Sequence, residues 1–231
     1  FFKRHKGEFL FGDVYQEAER IRQRLSTIVD PIWAEVCGSI RRRKEVVRDM
    51  DILVAAENHE KITSFFVSMP EVDQVLVTGE TKTSVRMKSG IEADLRVVTR
   101  QEFPYALVYF TGSKEHNVRL RGIAKKKGWK LNEYGIFDGD NLVTCKSEEE
   151  IYRALGLPYI PPELREDSGE IEAAEQDKLP SLIQHEDIRG IFHVHTDFSD
   201  GVDSLERMVE AAQKFGFSYL GVSDHSKTAY Y

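Results

Sequence analysis

Apolar side chains recur at helical spacing early in the chain: Val14, Ala18, Ile21, Leu25 and Ile28 mark one face. Asp13, followed three residues later by Gln16, predicts a capping-box start for this helix, and Asp30-Pro31 predicts its end. An apolar strand, Ile32 to Val36, comes next, and Gly38-Ser39 marks the turn out of it into a short basic helix. A further strand runs through Ile52, Leu53 and Val54. Residues 58–69 return to helical period with Ile62, Phe65, Phe66 and Met69 inward, closed by Pro70. Val75 and Val77, then Ser84 to Met87, alternate as strands, and Lys88-Ser89-Gly90-Ile91 turns into another strand, Glu92 to Val98.

Residues 103–127 predict two helices separated by Tyr109-Phe110-Thr111-Gly112-Ser113. Trp129 to Leu131 and Gly135 to Cys145 predict a small sheet with a turn at Asp138-Gly139-Asp140-Asn141. Ser147 with Glu150 caps a helix to Leu155, which Gly156 and Pro158 end. From Pro161-Pro162-Glu163 to about Ile188 the chain is acidic and turn-rich, a linker signal. Beyond it, His193 and His195 alternate on a strand, and Asp224 and His225 end a second apolar strand, Tyr219 to Val222. No internal repeat is visible.

Composition sharpens this picture. The 231 residues suffice for one large domain or two ordinary ones, and 41% hydrophobic residues can build a core. The longest apolar run, Tyr105 to Phe110, falls far short of the roughly 20 residues of a membrane span. With no signal-peptide pattern and two distant cysteines, Cys37 and Cys145, the expected setting is a reduced cytoplasm. The net charge of −7 argues against a nucleic-acid partner only until it is divided. Residues 1–162 hold 26 basic and 24 acidic side chains, residues 163–189 hold 3 and 9, and residues 190–231 hold 3 and 6. The acidity lies in the tail, while basic clusters at 41–44 and 119–130 leave a nucleic-acid partner open. A start without Met and an end at Tyr230-Tyr231, inside a pattern, read as a piece of a longer protein.

The chemistry concentrates between Gly38 and Val54. Asp49 and Asp51 are two apart on a strand and share a face. Adjacent carboxylates repel, and a hard divalent cation offsets that. Upstream, the backbone N–H groups and hydroxyl of Gly38-Ser39 suit a phosphate, and Arg41, Arg42 and Arg43 can add charged, bidentate contacts. Asp94, on a strand expected to lie beside the first as a hairpin partner, can join the pair. Three carboxylates on neighbouring strands can seat two ions roughly 4 Å apart for in-line phosphoryl transfer. Glu92 shares the face of Asp94, so spacing does not choose between them. Each motif alone has a bland reading: a solvated strand end, an exposed basic helix face. Their order and spacing together favour nucleotidyl transfer.

The stretches GSIRRRKEVVRDMD, IEADLR and YFTGSKEHNVRLRGIAKKKGWKLNEYG resemble the palm and thumb of family X DNA polymerases over about residues 12–165. HVHTDFSDG and SDHS resemble the opening motifs of a PHP (polymerase and histidinol phosphatase) domain, and this order of parts is similar to the bacterial family X polymerases. The resemblance implies a mixed α/β (α+β) fold: a nucleotidyltransferase-type palm at 12–104 and a small α+β thumb at 105–165. An acidic linker at 166–189 and the truncated start of a PHP (β/α) barrel at 190–231 follow, and residues 1–11 end a fingers-like region. It implies that Asp49, Asp51 and Asp94 bind Mg²⁺ or Mn²⁺, with Asp94 also placed to help deprotonate a primer 3′-hydroxyl. That choice over Glu92 rests on resemblance alone. Gly38, Ser39 and Arg42 resemble the groups that hold the incoming triphosphate, and Tyr109, Phe110 and Gly112 the segment under its sugar.

Asn117 and Arg121 match positions facing the nascent pair and the template; four and eight residues after Ser113, they also share a helix face. His193, His195, Asp200 and His225 resemble PHP ligands for Zn²⁺ or Mn²⁺, with Asp224 able to support His225 instead of binding metal. The later PHP motifs, the lyase-like domain and the fingers are not recognisable in the sequence. Weak metal binding and no competent phosphoesterase are therefore expected of this piece. The implied activity is template-directed addition of deoxynucleotides to a primer 3′ end, in gap-filling repair, on primer-template or gapped DNA, with a 3′-exonuclease or phosphoesterase in the intact protein. No membrane partner is expected. Two other readings compete: a template-independent nucleotidyltransferase, against which the segment from Tyr109 to Arg121 argues, and a non-catalytic nucleotide- or DNA-binding module.

Overall fold

The computed structural model describes residues 7–29 and 33–229. Residues 1–6, Asp30-Pro31 with Ile32, and Tyr230-Tyr231 lie outside the described residues, but the helix expected to run through Ile28 to a stop at Asp30-Pro31 already ends at Leu25, with Ser26 as its C-cap. The chain forms two compact units, Phe1–Leu179 and Pro180–Tyr231.

In the first unit β1 (Phe9–Leu10) runs straight into α1 (Phe11–Leu25), which buries Val14, Ala18, Ile21 and Leu25 as their spacing requires. The expected capping box does not form. Leu10 is the N-cap, without a side-chain cap, and the Phe11 N–H donates to Glu45 O at 2.9 Å. The pairing of β1 with β3 (Val46–Val47) sets the helix start ahead of Asp13.

The main sheet has five strands, in the order β2 (Ala34–Val36), β4 (Asp49–Ala55), β7 (Glu92–Val98), β6 (Lys82–Met87) and β5 (Val72–Thr78). Between β2 and β4 lies α2 (Gly38–Arg41), and between β4 and β5 lies α3 (His59–Val67), capped by the Asn58 side chain. β7 is a hairpin partner of β6, not of β4. It runs parallel to β4, so the neighbourhood of the two strands arises through a crossover. The pleat then sorts the side chains. Ile52, Val54, Leu95 and Val97 join α1 and α3 in one core, while Leu53, Ala55 and Val98 pack with Phe103 and Ala106 on the opposite face. Asp49, Asp51 and Asp94 stand at even steps from Leu53 and Val98, on that second face.

That face is covered by α4 (Phe103–Thr111). The helix break is shorter than expected: Tyr109, Phe110 and Thr111 remain helical, and only Gly112, at φ 70°, and Ser113 separate α4 from α5 (Lys114–Lys126). Ser113 caps α5 by accepting from the His116 N–H. The sheet β8 (Trp129–Asn132), β9 (Gly135–Asp138), β10 (Asn141–Leu142) and α6 (Glu148–Leu155) complete a second core around Tyr105, Leu120, Ile136, Ile151, Tyr152 and Leu155.

The acidic stretch is not a plain linker throughout. Residues 170–175 form α7 (Glu170–Glu175), whose Ile171 and Ala174 are buried in the same core. Glu170 Oε1 lies 2.6 Å from Nδ1 of the fully buried His116, and Tyr152 OH is 2.9 Å from its Nε2. The carboxylates that read as solvated are partners of thumb side chains. No helix of the described residues is long and apolar enough to cross a membrane.

In the second unit β11 (Gly190–Val194) and β12 (Tyr219–Val222) pair in parallel, connected through α8 (Leu205–Lys214), which Ser204 caps. This is one β-α-β step, as expected for the start of a β/α domain.

One buried cluster ties the first unit together. Arg41 donates to Glu148 Oε1 at 2.9 Å and Oε2 at 2.6 Å, and to Thr111 Oγ1 at 2.6 Å. Arg165, fully buried against the rings of Tyr152 and Tyr159, donates to Glu148 Oε1 at 2.7 Å. Burial opposes the charge on Glu148, but the hydrogen bonds and charges of Arg41 and Arg165 outweigh it and hold the carboxyl at about 2. Glu148→Ala strands two cations and is expected to cost about 3–5 kcal/mol in urea denaturation at pH 7. Because the folded carboxyl titrates below its unfolded value, this stabilisation is complete above about pH 4.5 and is lost as pH falls towards about 2. A stability profile for Glu148→Gln should lack that acid limb.

Candidate active site

The parallel register of β4 and β7 sets Asp51 opposite Asp94 and Asp49 opposite Glu92. Asp49 and Asp51 lie one pleat apart at the start of β4, where the strand leaves the core, and Asp94 joins them from the next strand. Burial raises the Asp51 carboxyl to about 7, with repulsion from Asp49 and Asp94 adding to it and Lys82 and Arg96 opposing. Burial likewise raises Asp49, again with repulsion from Asp94. A fold that holds three mutually repelling acids half out of water fits a divalent cation. Glu92 is turned away to Arg86 at 2.9 Å. Asp94 accepts from Ser84 Oγ at 2.6 Å and pairs with Lys82 Nζ at 2.5 Å.

Beside the carboxylates is a cavity of about 590 Å³. It is lined by Gly38, Ser39 and Arg42 from the α2 region, Asp49 and Asp51 from β4, Tyr109, Phe110 and Gly112 from the end of α4, and Asn117 and Arg121 from α5. Ten of the residues singled out from sequence thus meet at one cavity. Asp94 stands behind Asp51 and is not among the lining residues.

Local constraints set each position. Gly38 has φ 59°, and a Cβ there would overlap Asp51 Oδ2, so only glycine lets α2 pass this close to β4. The Cys37 N–H donates to Asp51 O at 2.7 Å and pins the same junction. Arg42 lines the cavity but is already engaged: Nη1 donates to Thr111 O at 2.5 Å and Nε to Glu166 Oε1 at 2.7 Å. Arg41 and Arg43, expected beside the phosphates, turn to Glu148 and Glu163 instead. The Asn117 side-chain amide donates to Tyr109 O at 2.7 Å, fastening α5 to the end of α4. Phe110 lies under the Arg96 guanidinium, 4.9 Å from ring centroid to Cζ.

Lys114 also lines the cavity and was missed from the sequence. Its spacing carried the signal: Lys114, Asn117 and Arg121 stand at i, i+3 and i+7 on one face of α5.

In the second unit His195, Asp200 and His225 bring three ligand atoms within 4.8 Å of one another, the one such group among the described residues. His195 Nδ1 is 2.8 Å from Asp200 Oδ1, and His225 Nε2 is 3.7 Å from Asp200 Oδ2. A mixed imidazole and carboxylate donor set fits a transition metal. His193 is outside the group: it sits at φ 61°, where the β11–β12 pairing is irregular, with its ring centroid 5.1 Å from that of His195. Asp224 accepts from the Thr196 N–H at 2.7 Å, Thr196 Oγ1 at 2.6 Å and Ser199 Oγ at 2.6 Å, which leaves it supporting the loop.

Comparison with known proteins places this geometry. Residues 106–166 match the DNA polymerase beta thumb family, and residues 192–230 match the PHP domain family. The chain is 37% identical over 223 residues to the DNA polymerase/3'-5' exonuclease PolX of Bacillus subtilis, covering 95% of this chain and 39% of that protein. It is 32% identical over 136 residues to Repair DNA polymerase X of African swine fever virus, covering 55% of this chain and 78% of the viral one. The chain belongs to the family X DNA polymerases. A ternary complex of Leishmania infantum polymerase beta superposes with a TM-score of 0.60 at 22% identity, over 72% of this chain and 79% of that one, which supports the palm and thumb fold. This family X chain spans 39% of the length of the Bacillus protein.

The tight junction at Gly38 can be tested against an open one. Gly38→Ala introduces both a left-handed alanine and an overlap with Asp51, whereas Gly90, at φ 92°, has nothing within 4 Å of a new Cβ. Gly38→Ala should cost about 2–4 kcal/mol and Gly90→Ala about 1 kcal/mol in chemical denaturation, the difference being the clash.

Proposed function

We propose that the first unit catalyses template-directed addition of a deoxynucleotide to a primer 3′ end on gapped or primer-template DNA, as a gap-filling repair activity of the longer protein. The observation that carries this reading is one cavity lined by Asp49, Asp51, Ser39, Arg42, Asn117 and Arg121, with Asp94 beside Asp51 on the next strand. Asp49, Asp51 and Asp94 would hold Mg²⁺ or Mn²⁺, which when bound supplies charge neutralisation for the triphosphate and a lower pKa for the attacking hydroxyl. Gly38 and Ser39 would offer their backbone N–H groups and the Ser39 hydroxyl to the phosphates, held beside Asp51 because no side chain intervenes at position 38. Arg42 adds positive charge from a guanidinium fixed by Thr111 and Glu166. A carboxylate oxygen of Asp94 takes the proton of the primer 3′-hydroxyl as its oxygen attacks the α-phosphorus and pyrophosphate leaves. Tyr109, Phe110 and Gly112 close against the sugar, and Asn117 and Arg121 face the nascent pair and the template.

Asp94→Ala is expected to lower primer extension by roughly 10³-fold or more. Extension that survives Asp94→Ala sinks the assignment, and equal extension with and without template selects the template-independent transferase instead. Nucleotide binding without any metal-dependent turnover in the longer protein selects the binding module.

A second activity is supported by the second unit. His195, Asp200 and His225 would hold Zn²⁺ or Mn²⁺ for a metal-dependent phosphoesterase or 3′-exonuclease reaction of the longer protein. In calorimetric titration of zinc, His225→Ala should weaken binding at least about tenfold, as loss of one ligand of three requires. Unaltered affinity would remove His225 from the ligand set.

A further inference from the structure

Asp94 differs from Asp49 and Asp51 in what already holds it. Ser84 Oγ donates to Asp94 Oδ1 at 2.6 Å, and Lys82 Nζ is 2.5 Å from Asp94 Oδ2. Both partners come from β6, on the side of β7 away from β4: Ser84 is registered opposite Asp94 and Lys82 opposite Arg96. Two residues apart on a strand, they present to the same face of the sheet as the carboxylates. Their environments differ. Ser84 is 8% exposed and fixed in the sheet, whereas the Lys82 side chain is 37% exposed.

An ammonium ion on a carboxylate oxygen supplies the charge that a bound cation would supply there. A second cation approaching the same oxygen meets direct repulsion, so the two occupants compete. Lysine suits a temporary occupant, because its charge is compact and its four-carbon stem can swing a partly exposed ammonium into water. A serine hydroxyl carries no charge and donates to the carboxylate whether or not a cation is present.

We propose that Lys82 is a placeholder cation. It keeps Asp94 aligned with Asp49 and Asp51 while no metal is bound and yields Asp94 Oδ2 when a divalent cation enters, whereas Ser84 orients the carboxylate in both states. The inference rests on the reading of these three acids as metal ligands. Lys82 is then a positioning residue: it restrains metal binding to the palm and offsets one of the three negative charges gathered there.

The test is Mn²⁺ titration of the full chain with free Mn²⁺ read by electron paramagnetic resonance. Palm binding is the part lost in the Asp49→Asn/Asp51→Asn double variant, which separates it from the histidine cluster. Lys82→Met should bind palm Mn²⁺ roughly tenfold tighter than the unaltered chain, since a competing unit charge has been removed. Lys82→Arg should restore the weaker affinity, and Ser84→Ala should weaken binding. Where Lys82→Met does not fold by thermal melting, Lys82→Gln takes its place with the same expectation. Palm binding that is equal or weaker without the lysine overturns the placeholder alone and leaves the ligand assignment standing. No Asp49/Asp51-dependent Mn²⁺ in either protein overturns both.

Discussion

The parallel register of β4 against β7 is the constraint on which the rest of this chain depends. Side chains alternate along a strand, so a slip of one residue would carry Asp51 into the core of α1 and α3 and expel Ile52. The apolar residues that forbid the slip, Ile52, Val54, Leu95 and Val97, are nearly inaccessible. Core packing therefore holds three acids where their own repulsion would not leave them. The cost appears in the carboxyl of Asp51, raised to about 7. This cluster of acids is made by the sheet's apolar half, and its concentrated charge is the consequence of that packing.

The second dependency runs through Glu148. Its carboxylate receives Arg41, next to the Gly38-Ser39 junction, and Arg165, after the last turn of the thumb. Thr111 is bound from the same side, its hydroxyl by Arg41 and its carbonyl by Arg42. The end of α4, where Tyr109, Phe110 and Gly112 line the cavity, is thus fastened to the end of α2, whose Arg42 lines it too. The run Arg41-Arg42-Arg43 reads in sequence as a set of phosphate contacts, with an exposed basic face as the bland alternative. In the fold each of the three has a different carboxylate, Glu148, Glu166 or Glu163, supplied by a segment more than a hundred residues later. Two of these carboxylates, Glu163 and Glu166, belong to the acidic stretch beyond residue 162, so part of the charge that reads as a linker signal neutralises the basic motif.

How much was legible in the sequence follows from the range of the interactions involved. The 3.6-residue pattern located α1 and α3 because burial acts on each side chain separately, and the two-residue pattern put both aspartates of β4 on one face for the same reason. The start of α1 was misread because a strand pairing with residues far along the chain, β1 with β3, outweighs a local capping preference. A hairpin was expected to bring Asp94 to Asp49 and Asp51, and the partner was right by a different route, since local turn signals are blind to a parallel crossover. The acidic stretch hid α7 because Glu170, Glu172 and Asp167 look solvated until His116 and Arg119 are brought to them. Lys114 was legible by spacing and overlooked because its neighbours Gly112 and Asn117 absorbed the motif.

The two candidate metal sites are built on opposite principles. In the palm, two buried strands fix the ligands, and the supporting contacts, Ser84 on Asp94 and the Gly38 junction on Asp51, come from neighbouring strands and a helix start. In the second unit the ligands leave strand ends: Asp200 lies in the loop after β11, and His225 follows β12. Only Val194 and Ala212 are buried apolar side chains among the described residues there, while Phe192, Phe198, Val202 and Phe215 are exposed. What orders the loop is polar. Asp224 gathers Thr196 and Ser199 by three short hydrogen bonds, and Gly201 approaches the His195 carbonyl too closely for any side chain. A geometry held by a few hydrogen bonds around the buried Thr196 rests on less than one held by a core, because each such bond contributes only about 1 kcal/mol net. The carboxylates of the palm are accordingly preset against their own charge by a core, whereas His195, Asp200 and His225 are brought together by the hydrogen bonds of the loop between them.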